Sequence, residues 1–131
     1  SRAYIFSAAL PPAQAAAANE AFQVILDEPE RIVKLNLNTK QFIGGLKSMG
    51  FDTMLTETAI VPVLCGEDEK AFAMTREAQH HDVFVLPVVS PAVQEGLARL
   101  RATVTAAHEP DEIERAMDVI GEAGRKLGMV K

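Results

Sequence analysis

The chain has 131 residues, 48% of them hydrophobic and 24% charged, and 13 Lys and Arg against 18 Asp and Glu give a net charge of −5. That size supports one domain with a real core, and the acidic balance excludes the basic footprint that nucleic-acid binding needs. No apolar run reaches the length of a membrane span, the start lacks a signal-peptide layout, and the single Cys65 leaves no internal disulfide and suits a reducing, cytoplasmic setting.

Taken in chain order, residues 1–12 read as an extended lead-in that begins without Met and runs straight into Tyr4-Ile5-Phe6, as the middle of a longer protein would. Pro11-Pro12 ends it, and proline suits the first turn of a helix. Residues 13–26 string alanines up to Phe22, Ile25 and Leu26, strong helix formers with one bulky end. Asp27-Glu28-Pro29 breaks that helix and starts a second. There Ile32, Leu35, Phe42, Ile43, Leu46 and Met49 recur at three- and four-residue steps, and Gly50 offers a left-handed C-cap. Gly44-Gly45 within it costs about 1 kcal/mol per glycine relative to alanine, which close packing on a neighbour would explain.

The short β-branched run Thr58 to Cys65 predicts a strand, and Gly66-Glu67-Asp68 places acidic groups to cap the helix that follows. That helix extends to about His80 and is expected to bury Ala71, Phe72, Thr75 and Ala78. A second strand is predicted over residues 83–89 and a third over 97–106. Pro62 and Pro87 interrupt the first two runs, so each is expected at an edge, at a bulge or at an early end. Residues 110–127 form the last helix, with Ile113, Met117, Ile120 and Leu127 on one stripe, acids in the first turns and Arg125 and Lys126 in the last. The expected fold is α+β, a small, mostly antiparallel three-stranded sheet covered by helices in the order α-α-β-α-β-β-α. Residues 13–50 read as a helical linker and 56–131 as the α/β unit.

The run from Gly96 to His108 carries the most chemistry. With period two, Ala98, Leu100, Ala102, Val104 and Ala106 fall on one face, and Arg99, Arg101, Thr103 and Thr105 on the other. Two guanidinium groups roughly 6–7 Å apart on a rigid strand suit bidentate capture of a carboxylate or phosphate. A half-exposed strand with a solvated cationic face fits the same spacing. Other candidates lack partners. Adjacent His80 and His81 before Asp82 point apart on a helix end, and no further His or Cys cluster completes a metal shell, so no metal is expected. Cys65 ends an apolar run and reads as a small buried thiol. There is no nucleophile elbow, P-loop or dinucleotide fingerprint.

Tyr4-Ile5-Phe6-Ser7-Ala8-Ala9-Leu10-Pro11-Pro12-Ala13, Gly45-Leu46 to Gly50-Phe51, Glu57 to Val63, Val83 to Val93 and, above all, Ala98-Arg99-Leu100-Arg101 to Ala106-Ala107-His108 together resemble one group of enzymes. The group is the α-oxoamine synthases, pyridoxal-phosphate enzymes of the fold-type I aminotransferase superfamily, among them 8-amino-7-oxononanoate synthase, glycine C-acetyltransferase, 5-aminolevulinate synthase and serine palmitoyltransferase. The likeness runs in order over nearly the whole chain. It departs at Ala8, where a hydroxyl residue is common, and at Ala59, where proline is common.

The resemblance implies a carboxy-terminal small domain over residues 13–131 of an enzyme that condenses an amino acid with an acyl-CoA, releasing CoA and usually carbon dioxide. It implies pyridoxal phosphate in the full-length enzyme but none held by this chain, because the lysine that carries the cofactor would precede Ser1. Arg101 matches the arginine that grips the amino-acid carboxylate, while Arg99 is expected to be a structural or rim charge. Ser7 matches a segment that reaches the cofactor phosphate of a partner subunit in homodimers of the family, though a plain extended linker would also fit. Val88, Val89 and Val93 fit either the substrate mouth or the core. A class I or II aminotransferase shares the carboxylate-binding arginine. From other classes, a stand-alone module that binds a small anion through Arg99 and Arg101, or an interaction domain with exposed helix faces, would fit the same residues.

Overall fold

The computed structural model describes residues 10–131, so Ser7 lies outside the described residues. Residues up to Val33 form one unit and Lys34–Lys131 another. In the first, α1 (Pro12–Asp27) starts on a proline at its first position and buries none of its side chains. Phe22 and Leu26 remain 67% and 72% exposed. Helix α2 (Glu30–Ser48) follows, and in its second half Asn38, Thr39, Phe42 and Leu46 are buried.

The second unit continues with β1 (Ile60–Gly66), α3 (Asp68–His80), β2 (Leu86–Val88), β3 (Ala98–Thr103) and α4 (Pro110–Lys126). The fold is the expected α+β in the expected order. The sheet runs β1-β3-β2 with both pairings antiparallel. Pro62 and Pro87 therefore sit on the two edge strands, where a missing N–H breaks no inner ladder. A bulge between Leu64 and Gly66 ends β1.

All three strands are shorter than their sequence runs, for local reasons. Thr58 does not join β1, because its Oγ1 accepts the Ile60 N–H and donates to the Ile60 carbonyl. At the front of β2, the Val83 N–H is used to close α3 on the Ala78 carbonyl, and Val85 is buried in the core. At its back, the Val89 carbonyl turns to accept from Ala92 and Val93. Beyond β3, the Thr105 N–H goes to His108 Nδ1 instead of a neighbouring strand.

One sheet face is covered. Val61, Val63 and Cys65 of β1 and Ala98, Leu100 and Ala102 of β3 belong to a single buried cluster with Met74 of α3, Ile113 and Ile120 of α4, and Phe42 and Leu46 of α2. Two expectations for α3 need correction. Phe72 is 44% exposed, because the buried stripe runs Ala71, Met74, Thr75, Ala78 and leaves position 72 on its flank. Glu67 occupies the N-cap without a side-chain cap bond, and its carboxylate instead pairs with Lys70 at 3.1 Å. Asp68 and Glu69 still place negative charge in the first turn. Among the described residues no helix is long and apolar enough to cross a membrane.

The two helical glycines at 44 and 45 differ. A Cβ on Gly45 would lie 2.0 Å from Met117 Sδ of α4, whereas one on Gly44 would meet nothing within 4 Å. Further along α4, a Cβ on Gly124 would fall 2.4 Å from the Phe51 ring. Burial pushes the Cys65 thiol from 9.0 up to about 11, with partial relief from a hydrogen bond to the Leu100 backbone.

Two measurements follow from this packing. In urea denaturation Gly44→Ala should stabilise the chain by about 0.5–1 kcal/mol, while Gly124→Ala should destabilise it by about 1–3 kcal/mol through overpacking. Equal effects at the two positions would contradict the packing described. Cys65 should react with iodoacetamide at pH 8 roughly a hundredfold more slowly in the folded chain than in the urea-unfolded chain, the ratio of thiolate fractions. Matching rates would show the thiol to be accessible.

Candidate functional site

The other face of the sheet carries the candidate residues of β3. β3 alternates, so Leu100 (0% exposed) and Ala102 are buried while Arg99, Arg101 and Thr103 turn outward. Register places Arg99 between Leu64 of β1 and Val88 of β2, and Arg101 between Pro62 and Leu86. Except for the two arginines and Thr103, this face is aliphatic. Ile60, Pro62, Val88 and Val93 line a recess of about 240 Å³ together with both arginines. Val89 is partly buried against the core cluster and does not line the recess.

The two guanidinium groups are held differently. Arg99 is half-buried, with Nε donating to the Leu97 carbonyl at 2.9 Å and Nη1 donating to Met54 Sδ at 3.0 Å. Arg101 is exposed and makes no hydrogen bond or ion pair among the described residues. Its backbone, by contrast, is fixed by ladders on both sides. A full fork on a rigid strand, beside side chains that exclude water, can take a carboxylate through two parallel N–H···O bonds.

Local hydrogen bonds hold the end of the Arg99 to His108 phrase. His108 Nδ1 accepts the Thr105 N–H at 3.2 Å, and Asn38 of α2 donates through Nδ2 to the Thr105 and His108 carbonyls at 3.0 and 2.8 Å. Asn38 thus satisfies two carbonyls in the turn that leaves β3. Neither Asn38 nor Met54 stands out in the sequence. Asn38 sits at a core position of an apolar stripe, and Met54 acts from a loop 45 residues away from Arg99.

His80 ends α3 and His81 caps it, while Arg115 of α4 donates to the His81 carbonyl at 3.0 Å and to the Asp82 carboxylate at 3.4 Å. Among the described residues no group of three or more His, Cys, Asp or Glu side chains could hold a metal ion.

A pyridoxal-phosphate anchor is a lysine amine. No lysine lines the recess; Lys34, Lys70 and Lys126 are paired with Glu109, Glu67 and Glu77, and Lys40, Lys47 and Lys131 make no ion pair among the described residues.

Comparison with known proteins places this geometry in context. The family model for aminotransferase class I and II matches residues 1–120. The 8-amino-7-oxononanoate synthase 1 of Bacillus velezensis is 43% identical over 129 residues, which cover 98% of this chain and 33% of the relative. The 8-amino-7-oxononanoate synthase of Symbiobacterium thermophilum is 38% identical over the same shares. Among solved structures, a high-resolution structure of SPT with PLP superposes with a TM-score of 0.86 at 33% identity, covering 98% of this chain and 33% of that one. The chain spans about a third of the length of the curated relatives it matches.

Proposed function

The chain belongs to the class I and II aminotransferase family, on its α-oxoamine-synthase-like side, and on that premise we propose that it is the substrate-binding small domain of a pyridoxal-phosphate-dependent acyltransferase. The parent enzyme condenses an amino acid with an acyl-CoA and releases CoA. The observation that carries this reading is Arg101, an uncompensated guanidinium fixed on the central strand in an aliphatic recess, in a chain similar to 8-amino-7-oxononanoate synthases.

In this reading Arg101 holds the amino-acid carboxylate through both arms of its fork. A lysine would supply the charge without the orientation. Orientation decides which substrate bond is presented for cleavage, so the rigidity of β3 is part of the chemistry. The cofactor supplies an electron sink for the carbanion chemistry when bound in the full-length enzyme. Val88 and Val93 keep water from the carboxylate. Ser7 remains a candidate phosphate contact across a homodimer, and a cytoplasmic location belongs to the same proposal.

The family model's own name favours a second reading, an aminotransferase, which would use the same arginine. Thiol release distinguishes the two. Full-length enzyme mixed with small amino acids and a panel of acyl-CoA thioesters should liberate free CoA. Transamination without thiol across the panel would establish the aminotransferase instead. In the full-length enzyme Arg101→Lys should raise the amino-acid KM about tenfold to a hundredfold, the loss of one charge-assisted hydrogen bond. An unchanged KM would move the carboxylate to another residue. Pyridoxal phosphate added to this chain alone, followed by borohydride, should label its lysines only in the non-saturable way of exposed amines, and one lysine labelled saturably and stoichiometrically would overturn the division of labour.

A further inference from the structure

Arg99 differs from Arg101 in that its fork is anchored. Of its five N–H donors, two are used, on the Leu97 carbonyl and on Met54 Sδ. Both acceptors are uncharged. Among the described residues no carboxylate lies within ion-pair distance of either arginine, although the chain carries 18 acidic residues. A half-buried guanidinium without a counter-ion, beside aliphatic side chains, is a group whose charge gains from an incoming anion.

The loop that supplies Met54 is itself constrained. Met54 has φ +56, in the left-handed region that costs a non-glycine residue energy, and its N–H donates to Asp52 Oδ1 at 2.7 Å. Phe51 and Thr53, flanking Asp52, are 5% and 1% exposed and fix the base of the turn in the core. This local arrangement presents the thioether to Arg99 Nη1. It leaves the Nη2 amino group and one Nη1 hydrogen of Arg99 uncommitted in a side chain that lines the recess.

We propose that Arg99 is a second anion-binding residue of the recess, contacting an oxyanion of the acyl donor, and that Met54 is the residue that positions it. The proposal rests on the reading of Arg101 as the holder of the amino-acid carboxylate. The two forks are not equivalent arms of one clamp, because Arg99 is tied back to Leu97 and Met54 while Arg101 extends without a partner. They suit two anions, one from each substrate. On the acyl donor the oxyanion is either a phosphate of the CoA moiety or a carboxylate on the acyl chain. Both take the same hydrogen bonds from a guanidinium.

The test measures initial rates of thiol release by the full-length enzyme with three donors: an aliphatic acyl-CoA, a carboxyl-terminated acyl-CoA, and the aliphatic acyl group on N-acetylcysteamine. Arg99→Gln should raise the acyl-donor KM about tenfold and leave the amino-acid KM unchanged. Arg99→Lys, which keeps the charge, should recover part of the loss. Met54→Leu should shift the same KM in the same direction by a smaller factor. An effect on both CoA thioesters but not on the N-acetylcysteamine thioester assigns the phosphate, and an effect confined to the carboxyl-terminated donor assigns the carboxylate. Should Arg99→Gln fail to fold, Arg99→Lys and Met54→Leu carry the test alone. Unchanged acyl-donor KM values for all three donors, or an amino-acid KM that rises in parallel, would overturn the proposal while the wild-type thiol release leaves the acyltransferase reading intact. Absence of thiol release by the wild type would instead remove that reading and this proposal with it.

Discussion

β3 is the only strand of the described sheet bonded on both sides, and its two neighbours each carry a proline. Those prolines limit what the edges can recruit, since each removes a donor from an outer ladder. The sheet stays narrow and β3 stays central. Everything placed on β3 inherits its rigidity, and the alternation of its side chains places Arg99 and Arg101 on the uncovered face while Ala98, Leu100 and Ala102 fill the covered one. A one-residue slip in register would bury both guanidinium groups in the core, so the pairing that defines the fold also defines the site.

The opposite side of the domain depends on close approach. Gly45 lies against Met117, Gly121 against Met49, and Gly124 against the Phe51 ring. These contacts draw the end of α2 and the segment after it onto α4. Phe51 sits at the base of the turn that displays Met54, so the packing of α4 reaches the recess through a short chain of residues. Asn38 makes a second link, joining α2 to the turn that closes β3.

Much of this was legible in the sequence where the pattern is periodic. The alternation from Ala98 to Thr103 and the stripe of α4 follow from side-chain direction, and the missing donors of Pro62 and Pro87 left an edge, a bulge or an early end, of which the sheet order gives the edge. What was misread depends on single hydrogen bonds. Thr58 turns its own hydroxyl on the next strand residue, Val83 spends its N–H on a helix end, and Glu67 prefers Lys70 to the cap. Composition does not distinguish a threonine that joins a ladder from one that ends it. Phe72 shows the limit of size as a guide, because a large aromatic one position off a buried stripe stays in solvent. Met54 and Asn38 act over 45 or more residues of sequence, a separation at which no local pattern exists.

The charge distribution carries the last step. Five of the Lys and Arg side chains, Arg31, Lys34, Lys70, Arg115 and Lys126, pair with Glu28, Glu109, Glu67, Asp82 and Glu77. Those pairs sit on exposed helix ends and helix faces, where each contributes little stability. Arg99 and Arg101 stand on the one face whose neighbours are aliphatic, and no acid reaches them among the described residues. Arg99 is tied to uncharged acceptors, the Leu97 carbonyl and Met54 Sδ, and Arg101 to none among the described residues. In the proposed reading the counter-ion of Arg101 arrives from outside, as a substrate carboxylate.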